Sequence, residues 1–324
     1  MKALKEIKFI TYLKQRLNEY YHTPSLLKRV IVRLVVYITL LDLAYVFLYP
    51  FLYMVVTSLK TNADLYDPTV NWIPHTIKWA NFSLAWKAIP FKTGLINSFI
   101  TTLFCTAGHL ISCSMIGYGL ARYKFKGQKL LFFIVLLSII IPTQAIIVPL
   151  YLTYSNLGWL NTFMPLIIPT FFGFGLRGGL FIFIFRQFFM GLPKELEDAA
   201  RIDGCGFIRT FYRIVLPCSK SSFLVSSVLS MVWHWNDFYE PELYAARPAL
   251  KTLTNSLQSL AIYVSSPNLM QQLTENMQIV DTEAVVNNAV FMAGTLMSIL
   301  PILLIFSVLQ RQFMQGIERT GLVE

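Results

Sequence analysis

Side chains able to do chemistry at a partner surface are concentrated in one polar stretch, PKELEDAARIDGCGFIRTFYRIVLP, residues 193 to 217. Glu195, Glu197 and Asp198 fall in the first turn of a short helix expected from Lys194 to about Ile202, where negative charge favours the helix dipole. Pro193 stands where a first turn tolerates a missing N–H. Gly204, with Gly206 two residues on, supplies the freedom for a sharp turn. Ile208, Tyr212 and Val215 then recur at helical spacing on one apolar face. A helix, a glycine turn and a second helix with charge on one side and an apolar face to bury make a docking element. Catalysis is not expected. The sequence contains no G-x-x-x-x-G-K-[ST] to cradle nucleotide phosphates, so no ATP site is expected in this chain. His22, His75, His109 and His234 are scattered without ligand spacing, and no metal site is argued from them. Cys105 and Cys113 fall on one apolar run, about 12 Å apart by helical rise. Cys205 and Cys218 flank the polar stretch, and all four cysteines are expected to be free thiols.

The elements that must hold this stretch are membrane spans. The chain of 324 residues is 55% hydrophobic, 15% aromatic and only 14% charged, a composition that excludes an ordinary soluble fold. Its net charge of +10 sits in the amino-terminal arm and in short loops beside apolar runs, which cytoplasmic orientation explains without nucleic acid. The fold class expected is an all-α membrane protein of six spans, at about 34–59, 95–121, 130–152, 163–189, 219–239 and 289–310. Residues 1–33 form a basic arm with eight basic and two acidic side chains. Arg122, Lys124, Lys126 and Lys129 make the loop after the second span basic as well. Both ends of the chain, the loop 193–217 and the tail 311–324 are therefore expected in the cytoplasm. The external segment 240–288 carries five acids against two bases.

Inside the spans, several residues stand out. Ala107, Gly108, Gly117 and Gly119 on the second span let helices approach closely. His109 near its middle is expected to hydrogen-bond a neighbouring backbone. Pro142 and Pro149 in the third span free carbonyls that lipid cannot satisfy, which suits a helix facing protein or a translocation path. Arg177, within GFGLRGG at the centre of the fourth span, is an expensive charge in a helix expected to be broken. It either pairs with Asp42 or an acid on a partner, or faces the path, where its fork would favour a carboxylate on an acidic sugar. Trp233, Trp235, Asn236 and Asp237 close the fifth span, as an interfacial aromatic belt or as path residues.

Together these residues carry a resemblance. D-A-A at Asp198, Ala199 and Ala200, six positions before Gly204, followed by Ile214, Leu216 and Pro217, is similar to the coupling loop of bacterial ABC-importer permeases. TSLK before residue 61, WIP at 72–74 with Asn81, NLGWLNT at 156–162, the W-x-W-N-[DE]-F stretch and the tail QRQFMQGIERTGLVE resemble the carbohydrate-uptake branch, whose type member carries maltose. The resemblance implies the type I importer permease fold in the bacterial inner membrane. It makes Glu197, Asp198, Ala199, Ala200, Asp203, Gly204 and Pro217 the ATPase-coupling residues. Asp198 stands where the family usually has glutamate, leaving open which of Glu197 and Asp198 makes the contact. The implied partners are a second homologous permease, two cytoplasmic subunits that use ATP and Mg, and an extracytoplasmic sugar-binding protein. An ion-coupled secondary transporter, or a channel subunit, is the alternative. The first would need intramembrane carboxylates, of which Asp42 is the only one in a span core, and the second would leave the acidic loop without a purpose.

Overall fold

The computed structural model describes residues 26–266, 268–269 and 286–321, and every regular element among them is helical. Most of the basic arm, most of the extended external segment 265–288 and the last three residues of the tail lie outside the described residues. The chain divides after Val56 into two units.

The first unit carries most of α1, Leu26–Ser58. At 1.5 Å per residue its 33 residues are more than enough to cross a bilayer. It begins eight residues before the apolar run that marks the first span, because Leu26 to Arg33 continue the helix into the basic arm.

The second unit opens with α2, Asn62–Tyr66, and α3, Ala80–Ala88. Two side chains of the sequence resemblance organise the loop after α1. The Lys60 ammonium donates to the carbonyls of Val70 and Asn71 at 2.7 and 3.0 Å. The Asn81 amide donates to those of Ser58 and Lys60, satisfying acceptors that α1 leaves open at its end. A capping box between Thr61 and Asp64 starts α2. Burial opposes the Asp64 charge, but bonds from His75, at 2.8 Å, and Thr61 outweigh it and hold the carboxyl below its ordinary range.

α4, Phe91–Arg122, packs most closely against α7, Gly178–Gly191, which α5, Gln128–Ile140, also meets, and α6, Thr143–Asn156, follows α5. In lipid no hydrophobic force joins helices, so close packing and hydrogen bonds must do it. A methyl on Gly117 would lie 2.8 Å from the Phe185 Cβ, and one on Gly108 would overlap the Thr170 hydroxyl. These two glycines set the approach expected of the second span. Gly119, expected to do the same, meets nothing.

The third span is not one straight helix. α5 and α6 meet at 103° across Ile141 and Pro142. Pro142 cannot donate to the ladder and forces its predecessor out of the helical region; Ile141 is extended, at φ −68° and ψ 118°. Pro149 stays inside α6. The fourth span is also interrupted, as its glycines lead one to expect: Met164–Ile167 and a 3₁₀ turn, Ile168–Phe172, precede α7. The polar loop holds α8, Glu195–Ile202, and α9, Phe207–Cys218, and α10, Lys220–Asn236, follows, bent from α9 by 80°. α11, Tyr239–Tyr244, α12, Leu253–Ser265, and α13, Asn288–Gly321, complete the chain. Among the described residues α1, α4 and α13 are each long and apolar enough to cross a membrane unbroken, and the number rises to five if each bent pair is one span.

Candidate functional site

The polar loop folds as helix, turn, helix, as its sequence suggests. Gly204 sits at φ +75° with open space around it, a conformation that any Cβ would strain. The two carboxylates left open by the sequence separate. Glu197 is buried, and its Oε1 lies 2.8 Å from the Nε of Arg122, a guanidinium also almost wholly buried at the end of α4. Arg122 also donates from Nη2 to the Leu192 carbonyl at the entry to the loop. Asp198 faces out, with only the exposed Arg201 at 3.6 Å. Ala200 turns inward with Glu197, while Ala199, Asp203, Gly204 and Pro217 are exposed.

A second clamp is aromatic. Tyr118, fully buried one turn before Arg122, meets the rings of Phe207 and Phe211 at 5.3 Å each and that of Phe189 at 5.7 Å. Aromatic pairs at this spacing add about 0.5–1.5 kcal/mol apiece beyond their burial. One expectation is corrected here. Ile208, Tyr212 and Val215 do not share a face: Ile208 and Tyr212 are exposed, whereas Val215 packs inside with Phe211. The cause is a π turn at Phe211–Val215, whose wider register rotates the helix beyond Tyr212, ahead of Pro217, which lacks the N–H that would continue an α ladder. Exposed Ile202, Ile208 and Tyr212 are left as the outward apolar surface.

The second constellation surrounds Arg177. Gly173, Gly175 and Arg177 all have left-handed backbone, at φ +72°, +96° and +63°, so the chain reverses out of the 3₁₀ turn and enters α7 at Gly178. A methyl on Gly178 would lie 2.5 Å from the Gly173 carbonyl oxygen. Broken backbone at membrane depth needs protein partners, and α4 provides them. Ser112 donates to the Thr170 carbonyl at 2.6 Å, and His109 Nε2 donates to that of Phe174 at 3.2 Å. His109 thus bonds a neighbouring backbone, as expected. A carbonyl only accepts, so the His109 proton is on Nε2, and its bare Nδ1 accepts from His234 Nε2 at 3.3 Å. The Arg177 guanidinium lies over the Trp233 ring, 5.6 Å from its centre. Among the described residues of its own unit it has neither a carboxylate in ion-pair reach nor a hydrogen-bond acceptor.

Residues 114–319 match the family described as binding-protein-dependent transport system inner membrane component. The chain belongs to that family. Among curated relatives this permease is similar to the arabinooligosaccharides transport system permease protein AraQ of Halalkalibacterium halodurans, at 29% identity, with 86% of this chain and 92% of that protein covered. It is also similar to the sn-glycerol-3-phosphate transport system permease protein UgpE of Yersinia pestis bv. Antiqua, at 26% identity over 83% and 90% of the two chains. Among solved structures, a chain of a bacterial ABC transporter involved in the import of the acidic polysaccharide alginate superposes with a TM-score of 0.75 and 21% identity, covering 90% of the permease and 99% of that chain. That likeness shows the fold. The permease is thus one membrane component of an importer assembled from several subunits.

Of the residues singled out at the end of the fifth span, the structure brings only Trp233 to Arg177. Trp235 is buried; its indole donates to the Ser298 carbonyl at 3.1 Å and its ring meets Phe99 edge-on. It is a packing residue. Asn236 is exposed and bonds its own helix at Val232, and Asp237 accepts from the backbone of Tyr239 and Glu240, which starts α11. The meeting of His109 with His234 escaped the sequence reading, since the two lie 125 positions apart and neither has a local motif. A buried polar residue on each of two small-residue spans was the only available signal.

Proposed function

We propose that this permease is the membrane path and force-transmitting subunit of an ATP-driven importer that takes up a sugar or oligosaccharide. The observation that carries the reading is the division of labour in the loop 193–217. Glu197 is consumed internally by Arg122, while Asp198, Ala199 and the apolar Ile202, Ile208 and Tyr212 are presented outward. An exposed acidic and apolar helix pair, rigidly tied to a span, suits docking into a cleft on a cytoplasmic ATPase. In this reading two such ATPases bind ATP and Mg, a second homologous permease completes the path, and an extracytoplasmic binding protein delivers the saccharide. Both termini then lie in the cytoplasm, and the tail 311–324, of which the residues up to Gly321 belong to α13, reaches towards the ATPases. The names of the relatives, an arabinooligosaccharide permease among them, support a carbohydrate cargo. Closure of the ATPase pair would shift α8 and, through Arg122 and Tyr118, move α4 as a rigid body.

The test is reconstitution of the complete complex in proteoliposomes with its binding protein. Saccharide uptake should require ATP, and should vanish when the ATPase subunits are omitted or carry a disabled phosphate-binding lysine. Uptake driven by a proton or sodium gradient without the ATPases would overturn the reading in favour of a secondary transporter.

A further inference from the structure

We propose that Arg177 on its Trp233 platform is a carboxylate-reading subsite that selects acidic saccharides, those built of uronic acid units; the proposal rests on the saccharide-import reading above. Three independent observations meet at this residue. The first is charge. A guanidinium at the interruption of a span is costly, and among the described residues of its own unit no acid neutralises it. The neighbouring polar groups on α4 and α10 are assigned: Ser112 and His109 satisfy the broken backbone, and His234 satisfies His109. Arg177 keeps its hydrogen-bonding capacity unspent within that unit.

The second is geometry. The guanidinium carbon lies over the Trp233 ring, 5.6 Å from its centre, a cation–π contact that spends none of its N–H donors on a hydrogen bond. That contact holds the group without consuming its fork, and a fork fits the two oxygens of a carboxylate in parallel hydrogen bonds. Trp233 is itself held by Phe181, with ring centres 5.5 Å apart, so the platform is braced by α7. The third is the backbone. Arg177 is one of two non-glycine residues with positive φ among those described, a conformation that costs on the order of 1–2 kcal/mol. Right-handed geometry would place the side chain elsewhere, so the position is maintained for where it sends the guanidinium. Phe172 and Phe174, both exposed on the same interruption, offer further apolar faces for the C–H surfaces of sugar rings.

A neutral hexose presents only hydroxyls, which any donor or acceptor can meet, and would leave the positive charge uncompensated. A uronate puts a carboxylate at the same ring position and cancels it.

The experiment uses the assembled complex in proteoliposomes with its binding protein, offered a panel of uronic acid trimers, galacturonate and guluronate among them, and the neutral hexose trimers of matching stereochemistry. Wild type is expected to import an acidic trimer. Arg177→Gln should lower that uptake about tenfold or more, the loss of one charge-assisted contact, with the complex intact by size-exclusion chromatography. Arg177→Lys, a point charge without a fork, should fall between the two. Preference of the wild type for neutral trimers would overturn the proposal while leaving the import reading standing. Equal loss of every substrate in Arg177→Gln, or disassembly, would overturn it in favour of an ion pair with a partner subunit, and unchanged acidic uptake in that variant would overturn it outright. Uptake of neither class would count against both readings.

Discussion

The polar loop 193–217 and the interrupted fourth span hang on the same helix, α4, yet they treat charge in opposite ways. At one end Arg122 finds Glu197 at 2.8 Å and both disappear from solvent. About 20 Å along the helix, His109 and Ser112 satisfy a broken backbone but leave Arg177 with its donors open. The difference teaches where to look for function in a subunit built for an assembly. Buried charges that the chain neutralises itself fix its shape, whereas Asp198, exposed and held only by the exposed Arg201 at 3.6 Å, and Arg177 are addressed to something else. α4 is the rigid member between them.

Breaking the neutralised pair should have the largest effect. Glu197→Ala strands the Arg122 guanidinium in a dry site, an uncompensated buried charge costing roughly 3–5 kcal/mol. Thermal unfolding in detergent should shift down by several degrees, and transport should fall with it. The exchanged pair Arg122→Glu with Glu197→Arg should recover part of the stability; no recovery would mean that the site reads orientation rather than charge.

Next comes the turn. Gly204→Pro cannot reach φ +75°, so α8 and α9 should be held at a wrong angle. The surrounding space is open, so the fold survives, and the expected result is a severalfold drop in saccharide moved per ATP hydrolysed. Normal stoichiometry in that variant would separate the turn from coupling.

How far the sequence reaches can be judged at these same residues. Helix, glycine turn and helix were legible, because acidic first turns and glycine stops are local signals. That Glu197 and not Asp198 turns inward was not, since the decision is made by Arg122, distant in sequence and visible there only as one of several basic loop residues. Interruption of the fourth span could be read from its glycines, and the proline of the third span signalled a kink but not its size. Trp235 shows the limit most plainly. Its motif placed it with Trp233, but positions two apart on a helix face different ways, and α13 covers one while α7 meets the other.

The smallest expected effect lies in the loop after α1. Asp64 has a depressed pKa because the bonds from His75 and Thr61 outweigh its burial, so its contribution is complete above the ordinary aspartate range, near pH 4. That contribution is lost as pH falls through the lowered value. Amide exchange in residues 61–75, corrected for intrinsic rates, should stay flat from pH 7 to about 5 and rise only below about 4. Asp64→Asn should remove that acid transition. A transition between pH 6 and 7 that survives in Asp64→Asn would place the control in another group.

The central claim, that the loop faces inward through Glu197 and outward through Asp198, is tested most directly by measuring ATPase-subunit affinity for the membrane-embedded permease pair in nanodiscs, with Asp198→Asn and Glu197→Gln compared at matched thermal stability readings. The account predicts that Asp198→Asn weakens docking about fivefold or more, the loss of a charge-assisted contact, while its unfolding temperature stays at the wild-type value. Wild-type docking by Asp198→Asn, together with lost docking and an unchanged unfolding temperature in Glu197→Gln, would contradict it.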